Sequence, residues 1–401
     1  MKKALHRLVK DKLPPRSPLR IIGDIGSRKQ GPVAIFFAGI HGNEPAGVTA
    51  LERLFAALSP RENDLKGRVI GIRGNIRALE KQSRYLDEDL NRLWTKEAIQ
   101  RIRIKPVLLE EEHEMLEILD FLEEVLDASE GPFYFFDLHT TSGKSAPFMT
   151  INDALANRKF AALFPVPIIL GIEEYLTGPL LSYVNELGYV ALGFEGGQHQ
   201  DPQSIERCKA FSQLCLEFAG IFQVDGPASS QEAYRTLQHP AFDKGSFFEI
   251  IEVYKVAEFE VFRMRPGFES FQKVQKGTPV ALHQGHEILF PQDAHIFMPL
   301  YQSQGKEGFF VIRKVPSFFL NLSAFLRKFK FDNLLVLLPG VSWGNKKKEI
   351  LRVDRKVAKY LAKQLFHLLG YRLKVLDGRF IRLYNRERAT KKQTYKEAAW
   401  W

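Results

Sequence analysis

The segment 39–47, GIHGNEPAG, places His41 three residues before Glu44 in a turn rich in glycine. An imidazole nitrogen and a carboxylate oxygen both ligate zinc, and a catalytic zinc site takes three such protein ligands with one position left open. A third candidate stands in PFYFFDLHTT (132–141), where His139 lies near the end of an apolar run. A zinc ion held by His41, Glu44 and His139 would lower the pKa of water to about 7 and supply hydroxide at neutral pH. The reaction would also need a base that takes a proton and hands it to a leaving group. Glu195, in GFEGG (193–197), suits that role: a carboxylate in a glycine-rich bend with little bulk beside it. Each motif alone is weak. H-x-x-E recurs by chance, a strand-end histidine is commonly a hydrogen-bonded polar residue, and a lone glutamate can cap a turn. Their joint placement points to chemistry.

All four residues sit at, or just past, the ends of runs predicted to be buried strands. The strands are read at 32–42, 67–75, 132–141, 166–170 and 189–197, from short apolar runs punctuated by glycine and polar residues. Between them, 45–58, 106–129 and 203–222 carry helical periodicity, with Pro45 near a first turn, where its missing N–H costs nothing. Strands alternating with helices predict an α/β fold, a mixed twisted sheet flanked by helices. In such a sheet the loops beyond the strand carboxyl ends form the ligand crevice, so residues distant in sequence can meet there.

Near residue 225 the pattern changes. Residues 247–264 alternate and are rich in aromatic and β-branched types, and 277–299 break into short runs between Gly, Pro and Asp, predicting a small all-β domain. From 316 the chain is basic and partly helical. The segment 348–370 reads as an amphipathic helix ending at Gly370, and the last dozen residues read as frayed. The expected division is 1–225, 226–315 and 316–401. The net charge of +10 is uneven: residues 316–401 hold 20 Lys and Arg against 6 Asp and Glu, which leaves −4 for the rest. The plain reading is a solvated basic face; the sharper one is contact with nucleic acid, an acidic partner or an anionic surface. An oligomer is compatible with either. No apolar run approaches the ~18 residues of a membrane span. The first twenty residues lack the continuous apolar stretch of a signal peptide, and two cysteines seven residues apart on a helix cannot bridge. A reduced, cytoplasmic protein is expected.

The stretch RYLDEDLNRLW (84–94) adds Arg84, Asn91 and Arg92 among acidic residues. Guanidinium groups bind carboxylates bidentately, and an asparagine adds a directional hydrogen bond. The alternative is a surface helix in which Asp87 or Glu88 pairs with Arg92. In order, AGIHGNEPAG, GNIRALEKQSRYLDEDLNR, FDLHTT and GFEGG resemble the succinylglutamate desuccinylase/aspartoacylase family, within the wider zinc-carboxypeptidase-like fold, over roughly residues 20–315. The resemblance implies one Zn2+ per chain and hydrolysis of the amide bond of a small N-acyl amino acid. It implies that His41, Glu44 and His139 ligate the metal and that Glu195 is the general base and acid. Arg84 would then polarise the scissile carbonyl, and Asn91 and Arg92 would hold a substrate carboxylate. Asp137, on the same side of its strand as His139, would at most support that ligand.

One departure concerns the substrate. The aspartoacylases carry an arginine shortly before the catalytic glutamate that recognises a second carboxylate, and residues 160–206 here contain no Lys or Arg. A diacid substrate is therefore in doubt unless a cation such as Lys244 or Lys273 compensates; Tyr301 could reach the site from the β domain, but a core or surface tyrosine is the plainer reading. Two further readings remain open: a metallocarboxypeptidase-like activity on peptide C-termini, and a non-catalytic metal-binding scaffold whose basic extension meets a polyanion. G-x-S-x-G, P-loop, G-x-G-x-x-G and C-x-x-C patterns are absent.

Overall fold

The structure is a computed structural model that describes residues 16–222, 226–257, 259–358 and 363–401; most of the basic opening segment read above lies outside them. Two units divide the chain: 1–148, 177–183 and 193–239 form the first, and 149–176, 184–192 and 240–401 the second.

In the first unit the apolar runs become strands β1 (Ile21–Gly26), β2 (Val33–Ala38), β3 (Arg68–Arg73) and β4 (Phe133–Thr141). All six residues of β2 and all nine of β4 are buried, as strands covered on both faces must be. β2 runs parallel to β3 on one side and β4 on the other, and β1 pairs antiparallel with β3. The register sets Ala38 beside Leu138, so the loop after β2 and the side chain of His139 come to the same edge. Beyond β4 lies β7 (Val190–Gln198), whose residues from Gly193 onward belong to this unit. The helices Ala46–Leu58 and Gln203–Phe218 pack on each other. Phe211 of the second stacks on Phe194 of β7 at 4.2 Å and meets Phe136 of β4 edge-on at 5.9 Å, which seats the helix on the sheet. The long helix Glu110–Ala128 buries Met115, Ile118, Leu119 and Leu122.

The second unit begins with β5 (Phe148–Ile151), apart from its first residue, and β6 (Ile168–Leu170). β6 is followed across the sheet by β8 (Phe247–Lys255), β14 (Glu307–Lys314), β13 (Ala294–Phe297) and β10 (Lys273–Val274). Short strands β9 (Phe262–Met264), β11 (Pro279–His283) and β12 (His286–Leu289) make a three-stranded antiparallel sheet over an apolar cluster that includes Val280, Phe290 and Phe309. The hydroxyl of Tyr301 donates to the carbonyl of Arg265 at 2.8 Å, a local structural use.

The basic extension differs from its expected form. It carries a four-stranded antiparallel sheet, in the order β15 (Val341–Trp343), β16 (Ile350–Asp354), β18 (Phe380–Asn385) and β17 (Tyr371–Asp377). The start of the segment read as one amphipathic helix is thus strand β16, and among the described residues that follow, Arg355–Ala358 and Lys363–Leu368 are helical. Ile350 and Val353 fit helical spacing while Leu351 and Val353 fit strand alternation, and pairing with β18 decides between them. Nor is the end frayed: Tyr395 is buried, with its ring 5.6 Å from that of Trp400, and its hydroxyl accepts the Val190 N–H at 2.9 Å.

A buried ionic knot ties the extension into its unit. Asp153 receives Arg158 at 2.6 and 2.9 Å, Arg327 at 3.0 and 3.1 Å and Arg372 at 2.7 Å. Asp153 and Arg327 are almost wholly enclosed. Burial opposes ionisation of Asp153, but the three guanidiniums reverse this and hold its carboxyl well below the usual range. Among the described residues no helix is long and apolar enough to cross a membrane.

Candidate metal centre and catalytic site

Gly39, at φ 70°, starts the turn after β2 in a left-handed conformation that favours glycine, and the turn brings His41 and Glu44 back over the sheet edge. Nδ1 of His41 lies 2.9 Å from Oε1 of Glu44, and Nδ1 of His139 lies 3.0 Å from Oε2. All three residues are buried, and one ligand atom from each falls within 4.8 Å of the others. The Thr140 N–H also donates to Oε2 of Glu44 at 3.0 Å, fixing the carboxylate.

The far nitrogen of each imidazole meets another carboxylate: Nε2 of His41 is 3.1 Å from Asp89, and Nε2 of His139 is 2.8 Å from Asp137. Asp137 therefore holds the place expected of it. Asp89 carried no role in the sequence reading, and nothing in DEDLNR distinguishes it from its acidic neighbours. With a proton on each Nε2, both Nδ1 lone pairs aim at Glu44, which when ionised only accepts. Three acceptors facing one another need a positive charge between them. Burial disfavours a charged His139, yet Asp137 and Glu44 carry its pKa well above the ordinary value. Glu44, despite burial, is held well below the carboxylate range by His41 and His139. Two imidazole nitrogens and a carboxylate fit zinc by number and by type.

Glu195 projects from β7 in the same unit and is buried, and its Oε2 has no hydrogen-bond partner among the described residues. Burial pushes its carboxyl up to about 8, against the pull of the His139 charge and with a contribution from Glu44. The glycines after it have separate reasons. A Cβ on Gly196 would stand 2.8 Å from the sulfur of Cys208, and Gly197 has φ 123°.

Arg84 lies 3.5 Å from Glu44 and 3.2 Å from Asp89, mostly buried, so its charge belongs to the same cluster. The segment carrying it is clamped by Glu111, a buried carboxylate near the start of the helix Glu110–Ala128. Glu111 accepts the N–H groups of Leu86, Asp87 and Glu88 at 2.6, 3.0 and 3.2 Å, and the Asn75 amide at 2.9 Å. Sequence reasoning missed this clamp, because EEEH reads as an ordinary acidic first turn. Asn91 sits in a 3-10 turn, Leu90–Arg92, capped by Asp89; its side-chain oxygen accepts the Leu180 N–H at 2.9 Å. Arg92 donates to the Asn91 carbonyl at 3.0 Å and lies 4.0 Å from Asp89. The surface-helix alternative for 84–94 does not hold, since the only helical turn there is this short one.

Residues 30–219 match the model of the succinylglutamate desuccinylase/aspartoacylase catalytic domain, the span that contains every residue of the site. They belong to the succinylglutamate desuccinylase/aspartoacylase family. The desuccinylase/aspartoacylase relatives include the succinylglutamate desuccinylase of Pseudomonas paraeruginosa, 40% identical over 70 residues, which are 18% of this chain and 21% of that protein. The enzyme of the same name from Photorhabdus laumondii is 43% identical over 60 residues, 15% of this chain and 18% of its own. The chain thus aligns with only about a fifth of the length of these curated relatives. Likeness in fold extends further. A succinylglutamate desuccinylase/aspartoacylase structure from Rhodobacter sphaeroides superposes with a TM-score of 0.54 at 18% identity, covering 73% of this chain and 88% of that one. The product-bound ectoine utilization protein EutE (DoeB) of Ruegeria pomeroyi gives 0.53 at 19%, covering 73% and 87%.

Proposed function

We propose that this chain is a zinc-dependent deacylase that hydrolyses the amide bond of a small N-acyl amino acid. The observation that carries the reading is the mutual approach of His41, Glu44 and His139, each imidazole backed by a carboxylate on its far nitrogen. A zinc ion held by these three side chains would supply Lewis acidity and a lowered pKa for water. Asp89 and Asp137 keep the Nε2 protons in place, so that both Nδ1 atoms present lone pairs. Glu195 takes the proton of the attacking water at a carboxylate oxygen and returns it to the leaving nitrogen. Arg84 donates to the oxygen that gains negative charge as the carbonyl is attacked. Asn91, with its oxygen committed to Leu180, has its amide N–H groups left to donate to a substrate carboxylate, which Arg92 pairs.

The acyl group in this reading is uncharged. No Lys or Arg occurs in 160–206, and Arg207, the first cation after that gap, donates to Asp201 at 3.0 Å and to the Gly196 carbonyl at 3.3 Å. We also propose the three-part division at about 225 and 315 and a cytoplasmic setting, the latter supported by two buried free cysteines.

Elemental analysis of the purified chain, with His41→Ala beside it, tests the site. The expected result is one zinc per chain, lost in the variant, and release of amine from N-acetyl or N-formyl amino acids ahead of N-succinyl ones. Zinc retained by His41→Ala would overturn the ligand assignment, and a preference for succinyl would overturn the substrate reading. Asp137→Asn is expected to weaken zinc binding by roughly 10–100-fold in chelator competition, because the backing carboxylate of His139 is lost.

A further inference from the structure

The helix Ser317–Lys328 is anchored inward by two polar side chains beside Leu326, which packs on an apolar cluster: Ser323 donates to the Leu368 carbonyl at 2.8 Å, and Arg327 reaches Asp153. Its outward face carries Phe318, Leu322, Phe325 and Phe329 at spacings of four, three and four, one continuous helical stripe that includes the C-cap residue. Phe318 is 68% exposed, Phe325 53% and Phe329 59%. The chain then turns at Lys330, at φ 54°, into the 3-10 segment Phe331–Leu337, where Leu334 and Leu337 also stand in solvent at 57% and 78%. Scattered apolar side chains on a surface need no explanation, but a contiguous patch marks an interaction surface.

The charges around the patch are of one sign. Lys328 and Lys330 are exposed among its phenylalanines, with Lys314 before it and Lys346, Lys347 and Lys348 beyond. Between 314 and 348 the sole carboxylate is Asp332, which is buried and held by Arg388 at 2.7 Å.

We propose that this patch binds the surface of an anionic membrane, with the helix lying in the interfacial plane, its phenylalanines among the acyl chains and its lysines at the headgroups. An aromatic stripe flanked by lysine is the pattern of an interfacial helix, and lysine stems reach outward while their ammonium groups stay in water. Charge decides against a second copy of the chain. A two-fold contact through the patch would gather the lysines of both copies into one interface to which the patch brings no free carboxylate, whereas anionic headgroups neutralise them. Twelve residues are too few to span, so the contact is peripheral.

Flotation of the full chain with phosphatidylcholine vesicles, with and without phosphatidylglycerol, tests this. The expected result is at least about tenfold more protein on the anionic vesicles, reversed by high salt. Phe325→Ser/Phe329→Ser and Lys328→Glu/Lys330→Glu should each lose about tenfold of that binding with unchanged circular dichroism and metal content. Equal recovery on neutral vesicles, or full binding by the serine variant, would overturn the proposal. So would a dimer in sedimentation that the serine variant abolishes while vesicles bind nothing; that result assigns the stripe to a second copy.

Discussion

Glu195→Gln is expected to leave zinc content unchanged and to lower kcat by roughly 10²–10⁴-fold. Glutamine keeps the volume and hydrogen-bonding reach of the side chain but cannot take a proton at neutral pH. In the proposed reading Glu195 is the group for that transfer, because it is buried in the cluster's unit with an oxygen lacking a partner among the described residues and is not drawn into the Glu44–His41–His139 set. Its raised pKa, about 8 from burial, would fall with a dication nearby, since positive charge favours the carboxylate. Activity needs the ionised form, so kcat/KM should rise with pH through the pKa of the zinc-loaded enzyme, and that acidic limb should vanish in the residual activity of the glutamine variant. Stopped assays of amine release across pH, with zinc measured on the same samples, decide it. A variant within tenfold of wild-type kcat would remove Glu195 from the mechanism.

The largest effect on stability is expected from Asp153→Asn. Asp153 is one carboxylate among three guanidiniums, of which those of Arg327 and Arg372 come from the basic extension. Neutralising it leaves Arg158, Arg327 and Arg372 buried with fewer negative partners. Breaking one side of a buried ion pair costs about 3–5 kcal/mol, which for a unit of this size is a melting-point drop on the order of 10 °C. Glu174, 3.1 Å from Arg372, offsets part of this. The pH dependence has a definite sign. The folded-state pKa is depressed, so the contribution of Asp153 is fully present above about pH 3.8, the ordinary value. It is lost as pH falls below that through the folded-state value. Thermal unfolding followed by circular dichroism at neutral pH, on wild type and variant, gives the answer; unchanged melting would mean that the knot adds nothing to stability.

The amino-acid sequence by itself determined the scaffold of the site. Apolar runs such as VAIFFA and PFYFFDL, short and bounded by glycine and polar residues, read as strands buried on both faces, and in a parallel arrangement their carboxyl ends gather the loops that follow. His41, Glu44 and His139 were legible for that reason, as was the place of Asp137, since strand alternation is a local rule. The segment 84–94 was legible in residue type but not in form: Leu86–Glu88, held by Glu111 23 to 25 residues further on, and the short turn Leu90–Arg92 replaced the helix that its charges allowed. Only the tertiary structure supplied Asp89, because its role depends on meeting His41 across 48 residues. Only it decided the extension, where Ile350–Asp354 fits helix and strand equally until β18 pairs with it, and where the inward Arg327 finds Asp153, 174 residues away. Local pattern sets which side chains can lie on one face; which face turns inward depends on partners that no local window contains. That is why only the structure shows that the aromatic stripe of the helix Ser317–Lys328 faces solvent.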